Sequence, residues 1–265
     1  MKMTARISGL LALTFCVAAA LPARAGEDAT AGREILNNNK AAVVTIQMVV
    51  KISSSFGGGN TSENETKEEA TGTVISPEGL TVLALSSTDP SSIYKTMMGG
   101  RDDFKMDAQL NDIKILLHDN TEIPAEVVIR DVEMDLAFVR PLVKPEAPMA
   151  YLNIEDSGTV DVLDRVVTIN RLGRVANRVY SASFEHIDAV VEKPRRYYIP
   201  GSDPTSTTQG CPAFRLDGKI VGVFVLRAIS AEATAGARRN NVMPIILTTE
   251  DIVEGVKQVP PFAEN

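Results

Sequence analysis

The sequence contains no Trp, only two His, two Cys and 5% aromatic residues. Metal centres built from clusters of Cys and His have too few ligands here. Any chemistry that needs an imidazole is limited to His118 or His186. Dense runs of Lys and Arg are also missing, and the formal net charge is −7. An acidic chain without a basic stripe excludes a groove for nucleic acid and favours solubility. Long apolar runs are scarce: Leu10–Leu21 spans about twelve residues, short of the roughly 20 needed to cross a bilayer. What is present is ordinary globular material. The 265 residues are 44% hydrophobic and 23% charged, enough for a sizeable core in one or two domains.

Residues 1–25 read as a secretory signal peptide. Lys2 and Arg6 form a positive start, the apolar run follows, and Ala23-Arg24-Ala25 gives a small-x-small cleavage site before Gly26. Phe15 precedes Cys16 where a lipoprotein signal needs a small residue. Cleavage removes three basic residues and no acidic one, leaving 24 basic against 34 acidic residues, a net charge of −10. The expected location is periplasmic or secreted, with no membrane span after cleavage. Cys211 is then the single mature thiol, which excludes an intramolecular disulfide. It reads as a buried small hydrophobe, a reactive thiol or an intermolecular link.

Beyond a short helix expected over Thr30–Leu36, with Thr30 as its N-cap, the pattern is of strands. Val44, Ile46, Met48, Val50 and Ile52 alternate with more polar neighbours over Val44–Ile52. Ser53–Glu69, rich in Ser, Gly, Asn and Glu, is expected to be a long exposed loop. Pro77-Glu78-Gly79 turns a hairpin between Thr71–Ser76 and Leu80–Leu85, and Asp119-Asn120 turns another between Ile113–His118 and Ile123–Arg130. Leu136–Arg140 is a further strand. Pro141, Pro145 and Pro148 mark a linker. Strands are then expected over Val160–Ile169, Arg178–Val191, Arg196–Ile199, Phe214–Leu216 and Ile220–Leu226. A terminal helix begins at Thr248 or Thr249, with Glu250 and Asp251 in its first turn. Two small all-β units, barrels or sandwiches, follow from this order.

Particular segments resemble the HtrA/Deg-type trypsin-like serine proteases. Gly72-Thr73-Val74-Ile75-Ser76-Pro77-Glu78-Gly79-Leu80 is similar to that family's G-x-[VI]-I-S-P-[DE]-G segment, and Asp135-Leu136-Ala137 to its D-L-A block. Gly210-Cys211-Pro212-Ala213-Phe214 through Gly222-Val223 resembles its segment after the nucleophile, and Asn241-Val242-Met243-Pro244-Ile245 its entry into a final helix. The resemblance implies an all-β chymotrypsin-like fold of two six-stranded antiparallel barrels with short terminal helices. Its N-terminal barrel is expected over about 40–140, a linker over 141–150, a C-terminal barrel over about 151–247 and a helix over 248–258, all within one unit 26–265. Family members usually continue into a PDZ domain, and this chain, ending at Asn265, is expected to lack one.

Carried over residue by residue, the base His of the family falls on Ser86, and no His lies between Gly26 and Leu117. The triad Asp falls on Asp135. The nucleophile falls on Gln209, whose carboxamide cannot attack a carbonyl, and Thr207 replaces the preceding glycine that helps shape the oxyanion hole. Thr207, Thr208 and Cys211 are the neighbouring nucleophile types, with Cys211 and His186 the one pairing of thiol and base. His186 and Asp188 supply two possible metal ligands, too few for a site. His118 reads as a turn residue, and Arg171, Arg174, Arg178, Arg195 and Arg196 as a solvated face or an anion contact. Met97-Met98-Gly99-Gly100 reads as a loop insertion. The expected function is a pseudoprotease, a trypsin-like domain with a degenerate triad at Ser86, Asp135 and Gln209, binding a peptide or protein without cofactor or metal. Two alternatives stand beside it: an enzyme with an altered site, and a structural subunit of an envelope or extracellular assembly, in which an oligomer is possible.

Overall fold

The computed structural model describes residues 24–56, 61–89, 91, 104–201, 208–228 and 242–262. Most of the signal segment, the Met97–Gly100 insertion and Thr207 lie outside the described residues. Strand β1 (Val43–Phe56) carries the expected alternation, burying Val44, Ile46, Met48 and Val50. It pairs on one side with β2 (Ser62–Val74) and on the other with β4 (Phe104–Leu116). This corrects the loop expected over Ser53–Glu69, since the ladder continues out to Ser54↔Ser62. A ribbon satisfies its backbone groups through cross-strand bonds and needs no buried side chains to do so. Its polar residues face water, with Lys51 and Glu63 paired across the strands at 2.9 Å.

The Pro77-Glu78-Gly79 turn joins β2 to β3 (Thr81–Ala84). Gly79 sits at φ +87, and a Cβ there would meet Met149 Sδ at 2.5 Å. Asn120, at φ 65, turns β4 into β5 (Glu122–Asp131), helped by an Asp119 side chain that accepts the Thr121 N–H at 2.9 Å. Strand β6 (Leu136–Pro141) completes a closed barrel in the order β1-β2-β3-β6-β5-β4.

After the Pro-marked connection, β7 covers Arg165–Arg171 and starts later than the strand expected from Val160. Asp161 and Asp164 explain the difference. The Asp164 carboxylate accepts the Asp161 N–H and the Asp161 carbonyl accepts the Asp164 N–H, so local turn bonds hold 161–164. Strands β8 (Tyr180–Val191), β9 (Tyr197–Pro200), β10 (Pro212–Arg215), β11 (Ile220–Ala228) and β12 (Val242–Thr248) close a second barrel in the order β10-β11-β12-β9-β8-β7. The sequence pattern had not marked β12 as a strand.

Helix α1 runs over Arg24–Asn39, longer than expected. Thr30 is therefore an interior residue and not the N-cap; its hydroxyl donates back to the Gly26 carbonyl at 2.9 Å. The helix is held on the second barrel by Gly32 against Phe184 and by an ion pair between Asp28 and Arg165. Helix α2 (Thr249–Val256) follows β12, lies against β11 and β12 and also reaches the first barrel, with Gly255 against the Phe138 ring. Among the described residues, no helix is long and apolar enough to cross a membrane.

Each barrel has its own interior, and a third apolar cluster joins them. Val82, Leu136 and Phe138 of the first barrel there meet Val167, Phe214, Val225 and Leu247 of the second, together with Ile35 and Ile252 of the helices. Between the barrels, one backbone approach is close enough to forbid any side chain. Gly210 lies at φ +81, and a Cβ there would fall 2.1 Å from the Thr71 carbonyl oxygen of the first barrel. The Thr73 hydroxyl donates to the Gly210 carbonyl at 2.9 Å in the same place. Replacing Gly210 by Ala combines left-handed strain with a backbone clash. It is expected to cost at least about 2 kcal/mol and lower the melting temperature by about 4–8 °C. Gly173→Ala, where a Cβ meets nothing within 4 Å, is the control expected to melt with wild type.

Candidate functional site

Between the barrels, the residues singled out as Ser86, Asp135 and Gln209 come together. Ser86 sits in the single 3₁₀ turn Leu85–Ser87 that ends β3. Asp135 precedes β6 at φ 54, a strained backbone for a non-glycine residue, and its carbonyl accepts the Leu85 N–H at 2.9 Å. That pose turns the carboxylate inward, where it is 5% exposed. Three donors reach it. The Ser86 N–H donates to Oδ1 at 2.7 Å, and the Ser86 hydroxyl (2.8 Å) and the Leu226 N–H of β11 (2.7 Å) donate to Oδ2. Gln209 closes the group from the second barrel: its Oε1 lies 3.1 Å from Ser86 Oγ and accepts the Ser87 hydroxyl at 2.9 Å.

Among the described residues no cation lies within ion-pair distance of Asp135. Burial pushes its carboxyl up to about 6, against the opposing pull of the Leu226 N–H and the Ser86 hydroxyl and N–H. Ser86 Oγ has one proton and two acceptors, Asp135 and Gln209. Below about pH 6, where Asp135 is protonated, it can resolve the competition by donating to Ser86, which then donates to Gln209. The arrangement is a hydrogen-bonded chain of carboxyl, hydroxyl and carboxamide. It contains no imidazole, and the group at the Gln209 position is not nucleophilic.

The other candidates lie elsewhere. His118 is exposed at the β4–β5 turn and His186 is exposed on β8. Cys211 is fully buried in the second barrel. Burial raises its thiol strongly, only partly offset by a hydrogen bond with Thr71, so the thiolate needed for nucleophilic attack is disfavoured. Of the readings open for Cys211, its burial agrees with the buried small hydrophobe and disfavours the altered-site thiol. Among the described residues no group of three or more His, Cys, Asp or Glu can hold a metal.

The arginines are not a uniform solvated face. Arg178 Nη2 (2.6 Å) and Arg174 Nε (2.8 Å) both bond Glu69 Oε1, and Gln47 Nε2 donates to the same oxygen at 2.9 Å. Burial alone would raise the Glu69 carboxyl, but the donors Arg178, Gln47 and Arg174 outweigh it and hold it at about 2. Arg171 is buried at 4% exposure and spans the barrels, donating to the Leu116 carbonyl at 2.6 Å and to Asn120 Oδ1 at 3.1 Å. Thr71 donates across the same junction to Asn170 Oδ1 at 3.0 Å. These polar cross-links were not foreseen. Each joins residues roughly 50 to 100 positions apart, and no local pattern marks them.

The Asp135 environment has a measurable consequence. Its folded-state value near 6 lies above the ordinary 3.8, so ionisation works against folding. This group's contribution therefore favours the fold most below about pH 4, and that advantage is lost as pH rises through 6. The stability of wild type minus that of Asp135→Asn is expected to grow by up to about 3 kcal/mol between pH 7.5 and pH 4 in denaturant titrations. A flat difference would contradict the shifted carboxyl.

Similarity to known proteins agrees with the double-barrel fold. Residues 70–223, more than half of the chain, match the family described as "Trypsin-like peptidase domain". Two curated relatives, both named "Probable periplasmic serine endoprotease DegP-like", are each 30% identical over 122 residues, or 44% of this chain. One, from Rickettsia conorii, is matched over 24% of its length and the other, from Rickettsia prowazekii, over 23%. The aligned region thus spans about a quarter of those relatives. Among solved structures, the HtrA-type protease AlgW with a decapeptide superposes with a TM-score of 0.56 at 11% identity, covering 85% of this chain and 65% of that one. At that identity the likeness concerns the fold. Two closed six-stranded barrels and the match over residues 70–223 place this chain in the trypsin-like peptidase domain family, where its similarity is to the HtrA/DegP type.

Proposed function

We propose that this protein is a periplasmic trypsin-like pseudoprotease that holds a peptide or protein segment in its cleft without cleaving it. The observation that carries the reading is the Ser86–Asp135–Gln209 chain. Ser86 stands where the resembling family has its base and Gln209 where it has its nucleophile, and the two satisfy one another. Both remaining imidazoles are exposed on other parts of the surface. Removing triad members leaves at most about 10³–10⁴-fold of catalysis over water from binding and an oxyanion hole, far below useful peptide hydrolysis. Peptide binding is supported by the barrel cleft, whose strand edges can take an extended chain, and by the decapeptide in the AlgW structure. Cleavage of a signal peptide near Ala25-Gly26 would deliver the domain 26–265 to the periplasm, the compartment named for the two relatives.

One observation favours a second reading. Ser86 Oγ is 2.8 Å from a carboxylate held near 6, a hydroxyl with an adjacent weak base. The two readings separate on incubation of the purified protein with labelled casein and with a fluorophosphonate probe. The pseudoprotease is expected to release no fragments above buffer and to leave Ser86 unlabelled. Casein turnover abolished by Asp135→Ala, or labelling abolished by Ser86→Ala, would establish the altered-site enzyme instead.

A further inference from the structure

A cavity of about 360 Å³ opens between the barrels, within the size range of ligand sites. It shares Ser86 and Gln209 with the cluster above and extends beneath β2 to Thr45 and Arg171. Only four buried side-chain polar atoms lack a hydrogen-bond partner among the described residues, and two of them, Thr45 Oγ1 and Arg171 Nε, belong to residues of this one wall.

Arg171 is the more telling of the two. Its partners, the Leu116 carbonyl and the Asn120 amide oxygen, are neutral, and its guanidinium lies 5.6 Å from the centre of the Tyr180 ring. No carboxylate among the described residues is within 4 Å of it. Glu69, a carboxylate of the same wall, is engaged by Arg174 and Arg178. A buried guanidinium whose Nε has no hydrogen-bond partner, and on which the Glu69 and Asp119 carboxylates act only at longer range, is an unfavourable arrangement that an anion in direct contact relieves. The route in is defined as well. β2 pairs with β3 only at Thr73 and Val74, so among the described residues its edge beside the cavity, Glu68 to Ala70, has no strand on that side. An extended segment can lie along such an edge.

We propose that this cavity receives a carboxylate of the bound peptide, an acidic side chain or the free C-terminus, opposite Arg171. The inference rests on the peptide-binding reading and specifies its ligand.

Three hexapeptides test it against the full-length mature protein: an acetylated and amidated peptide with one internal Glu, the same peptide with Gln, and the Gln peptide with a free C-terminal carboxylate. Binding is followed by NMR, including the Nε–Hε signal of Arg171. At least one carboxylate peptide is expected to bind tenfold or more tighter than the neutral one and to shift the Arg171 signal, and which of the two does so identifies the source. Arg171→Gln should erase the preference and Arg171→Lys should retain part of it. If Arg171→Gln does not fold, the wild-type series decides alone. Equal binding of the neutral peptide, or carboxylate binding that leaves the Arg171 signal unmoved, overturns the carboxylate site while leaving the peptide-binding reading intact. Failure of all three at millimolar concentration overturns the carboxylate site and counts against the peptide-binding reading too.

Discussion

A single buried carboxylate ties the two barrels together at the cleft. Asp135 accepts two donors from Ser86 in the first barrel and one from the Leu226 backbone in the second. It does so from a left-handed backbone pose that only the surrounding packing can enforce. Its partner in the first barrel is a serine, and the carboxyl shifts upward because burial outweighs its hydrogen bonds and no cation among the described residues lies within ion-pair distance. The acid thus serves to join two barrels, with Gln209 reaching the same serine from the opposite side.

Around that junction, polar cross-links and a shared apolar cluster act together. Thr73 and Thr71 of β2 reach Gly210 and Asn170 of the second barrel, and Arg171 returns to Leu116 and Asn120 of the first. These buried hydroxyls and guanidinium Nη atoms are tolerated because they find partners across the junction. Gly210 is the tightest point, since its lack of a side chain lets the two backbones touch. The terminal helices reinforce the arrangement from both ends: α1 lies on the second barrel, and α2 crosses to Phe138 of the first.

Strands with strict alternation and the Gly79 and Asn120 turns were legible in advance, because side-chain burial on one face and positive φ leave marks in a few consecutive residues. The polar ribbon of β1 and β2 was not. Its strand character comes from backbone pairing with neighbours, which imposes little on side chains that remain in water. The late start of β7 had the opposite cause: Asp161 and Asp164 form a local turn that overrides the apolar residues between them.

The sequence alone determined that no histidine lies between Gly26 and Leu117, because that is a fact of residue identity. It also determined that chemistry based on Cys and His clusters has too few ligands. Only the tertiary structure decided that Ser86, Asp135 and Gln209 form one connected chain, that Cys211 is sealed in a core, and that Arg171 is buried in the wall of a cavity. Those properties depend on which distant residues share a small volume of low dielectric, and local sequence does not encode that sharing.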